Sequence, residues 1–276
     1  MAVIADYHMH LRTPNGEVEE IDHTVEAVEH YVEQAARAGV DEIGFTEHVY
    51  YFRETRPLWE TRYQLDRCRF DLEAYVEAVL EGKRRGLPVK LALEVDYVPG
   101  RDDELAAALQ PYPWDYLLGS VHWIGGLAVD ARPGLWETRS VEEVWRLYFE
   151  TLAEAAGTGF CASLAHPDLA KIYGLRPEAA LVEELHERTA DAVAAAGVAV
   201  EVSTAGLRKP VGELYPDMSF LVACRQRGVP ITLASDAHLP SDVGRDLDRA
   251  VAHARAAGYE TVTVFDAGNA RQEPLG

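Results

Sequence analysis

Basic residues are scarce in this chain of 276 residues: 26 Lys and Arg stand against 46 Asp and Glu, a formal net charge of −20. Such a surface repels phosphate backbones, so no nucleic-acid partner is expected. Cysteine is nearly absent. Cys68, Cys161 and Cys224 are odd in number and far apart, without the paired spacing of a thiolate metal site. That usage predicts free, mostly buried thiols in a reducing cytoplasm. A run of about eighteen apolar residues, enough for a membrane-spanning helix, is missing, and no membrane partner is expected. The N-terminus leads straight into a strand with no basic segment ahead of it, so no signal peptide is expected. Linkers and low-complexity tracts are missing too, and residues 1–276 read as a single domain.

What is present is a rhythm. Val3-Ile4-Ala5-Asp6-Tyr7-His8-Met9-His10 reads as an apolar strand ending in two histidines. Side chains at i and i+2 of a strand point the same way, so His8 and His10 project together. A polar loop with the turn signal Pro14-Asn15-Gly16 follows, then a helix over 22–38 with Asp22 as N-cap and Gly39 as C-cap. A strand over 42–46 runs into Glu47-His48, where alternation places Glu47 on the face opposite His48. Residues 49–69 form an aromatic-rich loop, and a loop of that length inside a domain is usually functional. A helix over 71–85 stops at Gly86, and the strand over 89–93 ends at Glu94 and Asp96. Helices over 104–110, 141–156, 177–196, 217–227 and 246–257 alternate with strands over 115–121, 161–165, 198–202, 229–234 and a strand-like 261–265. Near-continuous apolar strands alternating with helices predict an α/β fold of parallel units, best read as a barrel of seven or eight strands.

In a parallel barrel all C-terminal strand ends share one rim, where active sites sit. That rim would gather His8, His10, His48, Glu94, His122, His166, Asp236 and His238. The remaining histidines, His23, His30, His186 and His253, fall on or beside helices and read as solvated faces or caps. Eight nitrogen and oxygen ligands exceed the needs of one ion and imply two or three divalent cations, with a carboxylate bridging a pair. Imidazole and carboxylate without thiolate suit Zn, Mn or Fe. Neighbouring ions roughly 3.5–4 Å apart share a hydroxide and clamp a displacement at phosphorus, although the same equipment also hydrolyses amides. The strand over 198–202 ends in a loop carrying Arg208 and Lys209, one of the few basic pairs near the rim. A guanidinium there binds phosphate oxygens bidentately, which favours a phosphate ester as substrate.

The stretches Asp6-Tyr7-His8-Met9-His10, Phe45-Thr46-Glu47-His48, Leu93-Glu94-Val95-Asp96, Gly119-Ser120-Val121-His122, Ala165-His166-Pro167-Asp168, Ser203-Thr204-Ala205-Gly206-Leu207-Arg208 and Ser235-Asp236-Ala237-His238 come in the order of a known family. Together they resemble the polymerase-and-histidinol-phosphatase (PHP) superfamily, and within it the monofunctional histidinol-phosphatases. The resemblance implies a distorted (β/α)7 TIM-like barrel with a trinuclear metal site. It assigns His8, His10, Glu94 and Asp236 to a first metal, with Glu94 bridging to a second completed by His122 and His166. His48 and His238 would serve the third. Related sequences often carry another ligand about six residues beyond His10; here that register gives Gly16, and the neighbouring Glu17 is taken as its replacement. The implied activity is hydrolysis of L-histidinol phosphate to L-histidinol and phosphate in histidine biosynthesis, by a hydroxide between two metals. Arg208, not itself a ligand, would hold phosphoryl oxygens with the third metal, Lys209 would assist in binding, and Asp236 or a metal-bound water would protonate the leaving alkoxide. Another small phosphate ester, an amidohydrolase-like reaction, and a metal-stabilised module docking on a polymerase are the alternatives.

Overall fold

The structure is a computed structural model and describes residues 3–13, 20–131 and 134–276. Its parallel strands lie in two sheets. β1 (Ala5–Asp6), β2 (Glu42–Phe45) and β3 (Val89–Leu91) form the first. β4 (Glu94–Asp96) and β5 (Leu118–Ser120) begin the second. A small antiparallel hairpin of β6 (Trp123–Ile124) and β7 (Leu127–Ala128) follows. β8 (Ser163–Leu164), β9 (Ala199–Ser203) and β10 (Ile231–Ala234) complete the second sheet, in the order β10-β9-β8-β5-β4. Backbone hydrogen bonds bridge both seams. Tyr7 N donates to Leu233 O at 3.1 Å, joining β1 to β10, while Ala92 N donates to Phe45 O at 3.0 Å and Glu94 N to Glu47 O at 3.0 Å. Taking β3 and β4 as one interrupted strand, this is the expected (β/α)7 arrangement, distorted into two sheets.

That interruption corrects the continuous strand expected up to Glu94: the ladder breaks at Ala92-Leu93 and the partner changes from β2 to β5. The first strand is also shorter than its apolar run, so His8 and His10 lie beyond it.

The helices cover the outside. α1 (Val25–Ala38) is capped by the Thr24 side chain, which accepts from Ala27 N, rather than by Asp22. Gly39 ends it at φ 73°. The supposed loop over 49–69 is folded: 3₁₀ turns over Val49–Tyr51 and Arg53–Leu58 lead to α2 (Arg62–Arg67), capped by Thr61. α3 (Leu72–Arg84), α4 (Asp102–Leu109), α5 (Val141–Gly157), α6 (Ala179–Ala196), α7 (Met218–Gln226) and α8 (Leu247–Ala256) follow near their expected places. Ser140 and Glu143 close a reciprocal capping box on α5. No helix among the described residues is long and apolar enough to cross a membrane.

At the N-terminal side of β5 the barrel is plugged by its own C-terminus. β11 (Thr261–Asp266) turns back on β12 (Asn269–Pro274), and Phe265 stacks on Tyr116 at 4.7 Å between ring centroids. The Tyr116 hydroxyl crosses the interior to donate to Tyr7 O at 2.6 Å. Gly44 on β2 is required for that crossing, because a Cβ there would meet the same hydroxyl at 1.8 Å.

Candidate metal centre

The polar groups gather at the opposite end. Met9 forms a parallel bridge to Ala237 and points into the core, so its neighbours His8 and His10 turn the same way, with ring centroids 5.3 Å apart. His48 follows β2, His122 follows β5, His166 follows β8, and Asp236 and His238 follow β10. Glu94, at the start of β4, is the hub. Its Oε2 lies 2.7 Å from His48 Nδ1, 3.4 Å from His8 Nε2 and 3.7 Å from His10 Nε2. Its Oε1 lies 2.9 Å from His166 Nε2 and 3.5 Å from His122 Nε2. Asp236 Oδ1 faces His10 Nε2 at 3.6 Å, His8 Nε2 at 3.7 Å and His238 Nε2 at 3.3 Å. All eight expected rim residues therefore converge.

His8 Nε2, both ring nitrogens of His10, His48 Nδ1, Glu94 Oε2 and His238 Nδ1 are sealed from solvent without a hydrogen bond. Buried polar atoms are rarely left so. Four trios of donors, each with its atoms within 4.8 Å of one another, can hold a metal ion: His8, His10 and Asp236; His8, Glu94 and His166; His48, Glu94 and His122; and His10, His48 and His238. The donor chemistry fits divalent Zn, Mn or Fe. Burial drives the pKa of His48 and of His238 down to about 4, so both rings are neutral with a lone pair to give. Burial also opposes ionisation of Glu94, yet His48, His8 and His122 outweigh it and hold the carboxyl well below its usual range. The reverse holds at His122: burial pulls it down, but Asp96 and Glu94 raise it to about 10. The site stabilises positive charge at that point, whether a proton or a metal carries it.

Behind these donors sits a ring of carboxylates absent from the expected site. Glu201, in the middle of β9, accepts from His8 Nδ1 at 2.9 Å and from the His166 backbone N–H at 2.7 Å. Asp96 accepts from His122 Nδ1 at 2.8 Å. Each pair fixes the ring's tautomer and aims Nε2 inward. Glu47 corrects the alternation argument: it is fully buried, accepts from Leu11 N at 2.7 Å and Arg12 Nη1 at 3.0 Å, and its Oε2 lies 3.4 Å from His10 Nδ1. β2 ends at Phe45, so strand parity no longer applies two residues later. Asp6 fastens the Asp236 turn to β1 by accepting from Ser235 N at 2.8 Å, Ser235 Oγ at 2.5 Å and Gly244 N at 2.9 Å. The signal for all these residues was an acid inside or abutting an apolar strand, since buried carboxylates are paired.

His166 and Asp236 hold positive φ angles of 26° and 52°, as does Asp168 at 78°. Non-glycine residues in that region are sustained only by surrounding structure and cluster at functional sites. The donors floor a cavity of about 370 Å³ whose walls include Tyr50, Tyr51, Tyr63, Trp123, Asp130 and Arg208. Tyr50 stacks on His48 at 4.8 Å. Arg208 Nη2 donates to Ser235 O at 2.6 Å and Asp236 O at 3.1 Å, so part of its fork braces the turn that carries Asp236. Lys209 borders the cavity and is exposed. Glu17 lies outside the described residues. The four other histidines are less exposed than expected. His23 is within 3.5 Å of Glu47 and packs on Phe52, and His186 is buried against Ser219.

The family model described as PHP domain matches residues 8–205. A probable histidinol-phosphatase of Deinococcus radiodurans is 34% identical over 266 residues, covering 95% of this chain and 97% of its own length. A histidinol-phosphatase of Bacillus subtilis is 28% identical over 240 residues, 78% of this chain and 88% of its own. A crystal structure of a histidinol phosphate phosphatase from Lactococcus lactis, complexed with zinc, L-histidinol and phosphate, matches with a TM-score of 0.75 at 20% identity. That match covers 97% of this chain and 98% of the other, and at such identity it shows a shared fold. With its histidines and carboxylates gathered on one rim of that fold, the chain belongs to the PHP domain family.

Proposed function

We propose that this protein is a metal-dependent phosphatase that hydrolyses L-histidinol phosphate to L-histidinol and phosphate, in histidine biosynthesis, with the whole chain as one catalytic domain. The observation that carries the reading is the set of solvent-sealed, unpartnered donors converging under a cavity that also presents Arg208. Bound there, divalent ions supply Lewis acidity toward phosphoryl oxygens and an ionised water at neutral pH. His8, His10, Glu94 and Asp236 would hold one ion, Glu94, His122 and His166 a second, and His48 and His238 a third. Glu201, Asp96 and Glu47 keep the rings of His8, His122 and His10 aimed inward. Arg208 offers its remaining donors to the phosphoryl oxygens as charge develops on them.

The opposite wall suits the rest of the substrate. Tyr50, Tyr51, Tyr63 and Trp123 offer flat faces to an imidazole, and Asp130 at the mouth offers a carboxylate to the ammonium. A biosynthetic role places the enzyme in the cytoplasm, where its three buried free thiols stay reduced. The net charge of −20 supports a small anionic ester, held by local cations, over a nucleic-acid polymer.

The test is a panel of phosphate monoesters, including nucleotides and sugar phosphates, with an amide substrate alongside. L-Histidinol phosphate is expected to show the highest kcat/KM, chelation to abolish turnover, and Zn, Mn or Fe to restore it. Faster turnover of another ester would replace the substrate, and amide cleavage alone would replace the reaction class.

A further inference from the structure

Tyr215 is fully buried on the segment between β9 and α7, and its position is heavily constrained. Its backbone exchanges two hydrogen bonds with Ser203, at 2.7 and 3.0 Å. Its ring meets His166 edge-on at 6.5 Å, and Lys171 Nζ lies 5.5 Å from its centroid. Gly206 packs against the phenol end: a Cβ there would stand 3.1 Å from the hydroxyl-bearing carbon and 2.1 Å from Glu213 O. That end of the ring is therefore held in place by a residue with no side chain to spare.

The ring lines the cavity together with His166, Asp236 and Arg208. Its hydroxyl is sealed from bulk water and has no hydrogen-bond partner. An unsatisfied buried hydroxyl lowers stability, and a phenylalanine would fill the same space without that loss. A phenol is protonated at neutral pH and carries one strong donor. A fixed donor on a ring that lines the cavity, with no acceptor of its own, is suited to an anion that enters it.

We propose that the Tyr215 hydroxyl donates a hydrogen bond to an anionic phosphoryl oxygen of the substrate, its proton remaining on Tyr215 throughout. This makes Tyr215 a catalytic residue of the phosphatase reaction proposed above, and the assignment rests on that reading. Charge on the phosphoryl oxygens shifts as the ester bond breaks, so a donor fixed in advance acts without reorganisation.

Tyr215→Phe removes one oxygen and keeps the ring. In the metal-loaded protein, kcat on L-histidinol phosphate is expected to fall about ten- to a hundredfold, the span of one hydrogen bond to a charged group. Calorimetry with inorganic phosphate is expected to show binding weakened in the same direction. Metal content should match the wild type and the melting temperature should hold or rise. Wild-type kcat together with wild-type phosphate binding would overturn the assignment, as would a loss of rate accompanied by lost metal and a lower melting temperature. If the wild type hydrolyses no phosphate monoester, the functional reading fails separately, and phosphate binding by the two proteins still decides whether Tyr215 meets the anion.

Discussion

Two buried carboxylates lie at opposite ends of the barrel, and their surroundings differ in kind. Asp115, at the end closed by β11 and β12, has all its acceptor capacity taken. Oδ1 accepts from Lys83 Nζ at 2.8 Å and Ala267 N at 2.8 Å, and Oδ2 from Lys83 Nζ at 2.7 Å and Leu91 N at 2.7 Å. Glu94, at the rim, is just as buried, yet its Oε2 lies among three imidazole nitrogens and forms no hydrogen bond. One carboxylate has been satisfied by folding. The other is held ionised by the imidazoles around it, yet one of its oxygens forms no hydrogen bond among them. Burial alone therefore identifies neither a structural nor a functional acid; whether hydrogen-bond donors saturate its oxygens does.

The largest expected effect tests that contrast directly. Glu94→Gln should strip bound metal and lower the rate by more than about a hundredfold, beyond the range for residues that only orient a ligand. Asp115→Asn should do the opposite. It leaves Lys83 and a backbone N–H short of an acceptor, costing about 1.5–3 kcal/mol of stability, with rate and metal per folded chain unchanged. Metal analysis and thermal unfolding of both variants measure this. Metal loss from Asp115→Asn, or full metal content in Glu94→Gln, would erase the distinction.

Arg208 comes next. Arg208→Ala should cost on the order of 10²–10³ in kcat if it meets the phosphoryl group. Arg208→Lys should recover part of this, since an ammonium keeps the charge without the planar fork. The sequence alone predicts unchanged metal for a residue that is not a ligand. Its bonds to the carbonyls of Ser235 and Asp236 change that expectation, and Arg208→Ala should also weaken metal binding. Titration with a metal indicator separates the two roles. Full metal affinity in Arg208→Ala would mean the brace is dispensable.

A smaller effect belongs to the carboxylates behind the rings. Glu201→Gln should weaken metal affinity about ten- to a hundredfold by loosening His8 and the backbone of His166 together. Glu47→Gln should fall in the same range through His10. Unchanged affinity in Glu201→Gln would show that packing alone orients His8.

The positions of the eight converging residues were legible because strand ends are marked twice, by an apolar run stopping and by a histidine or acid starting. The glycines that end α1 and α6 helped to set the frame. The residues behind them were hidden by the same regularity. Glu201 and Asp6 sit within strands that read as uniformly apolar, and Glu47 was misplaced by strand alternation carried past the strand's end. The break at Ala92-Leu93 left no mark, because two short strands with different partners look like one long apolar run. The turns over 49–69 are too short for helical periodicity, and β12 is polar and largely exposed, so it lacks the alternation that betrays a half-buried strand.

The smallest expected effect concerns Asp130, the acid of the cavity with the least in common with Glu94. It is exposed at the mouth, so water screens it and its attraction for a cation is weak. If it meets the ammonium of L-histidinol phosphate, Asp130→Asn should raise KM by no more than about fivefold, the reach of an exposed ion pair. The value of kcat should stay unchanged, because the ammonium keeps its charge through the reaction and is bound equally before and during it. The difference from wild type should shrink as salt is added. Steady-state kinetics at low and high ionic strength, on L-histidinol phosphate and on a phosphate monoester without an amine, give four comparisons. Only low salt with the amine should show the defect. An equal rise in KM on the amine-free ester would assign Asp130 to shaping the mouth of the cavity instead of reading the substrate's charge.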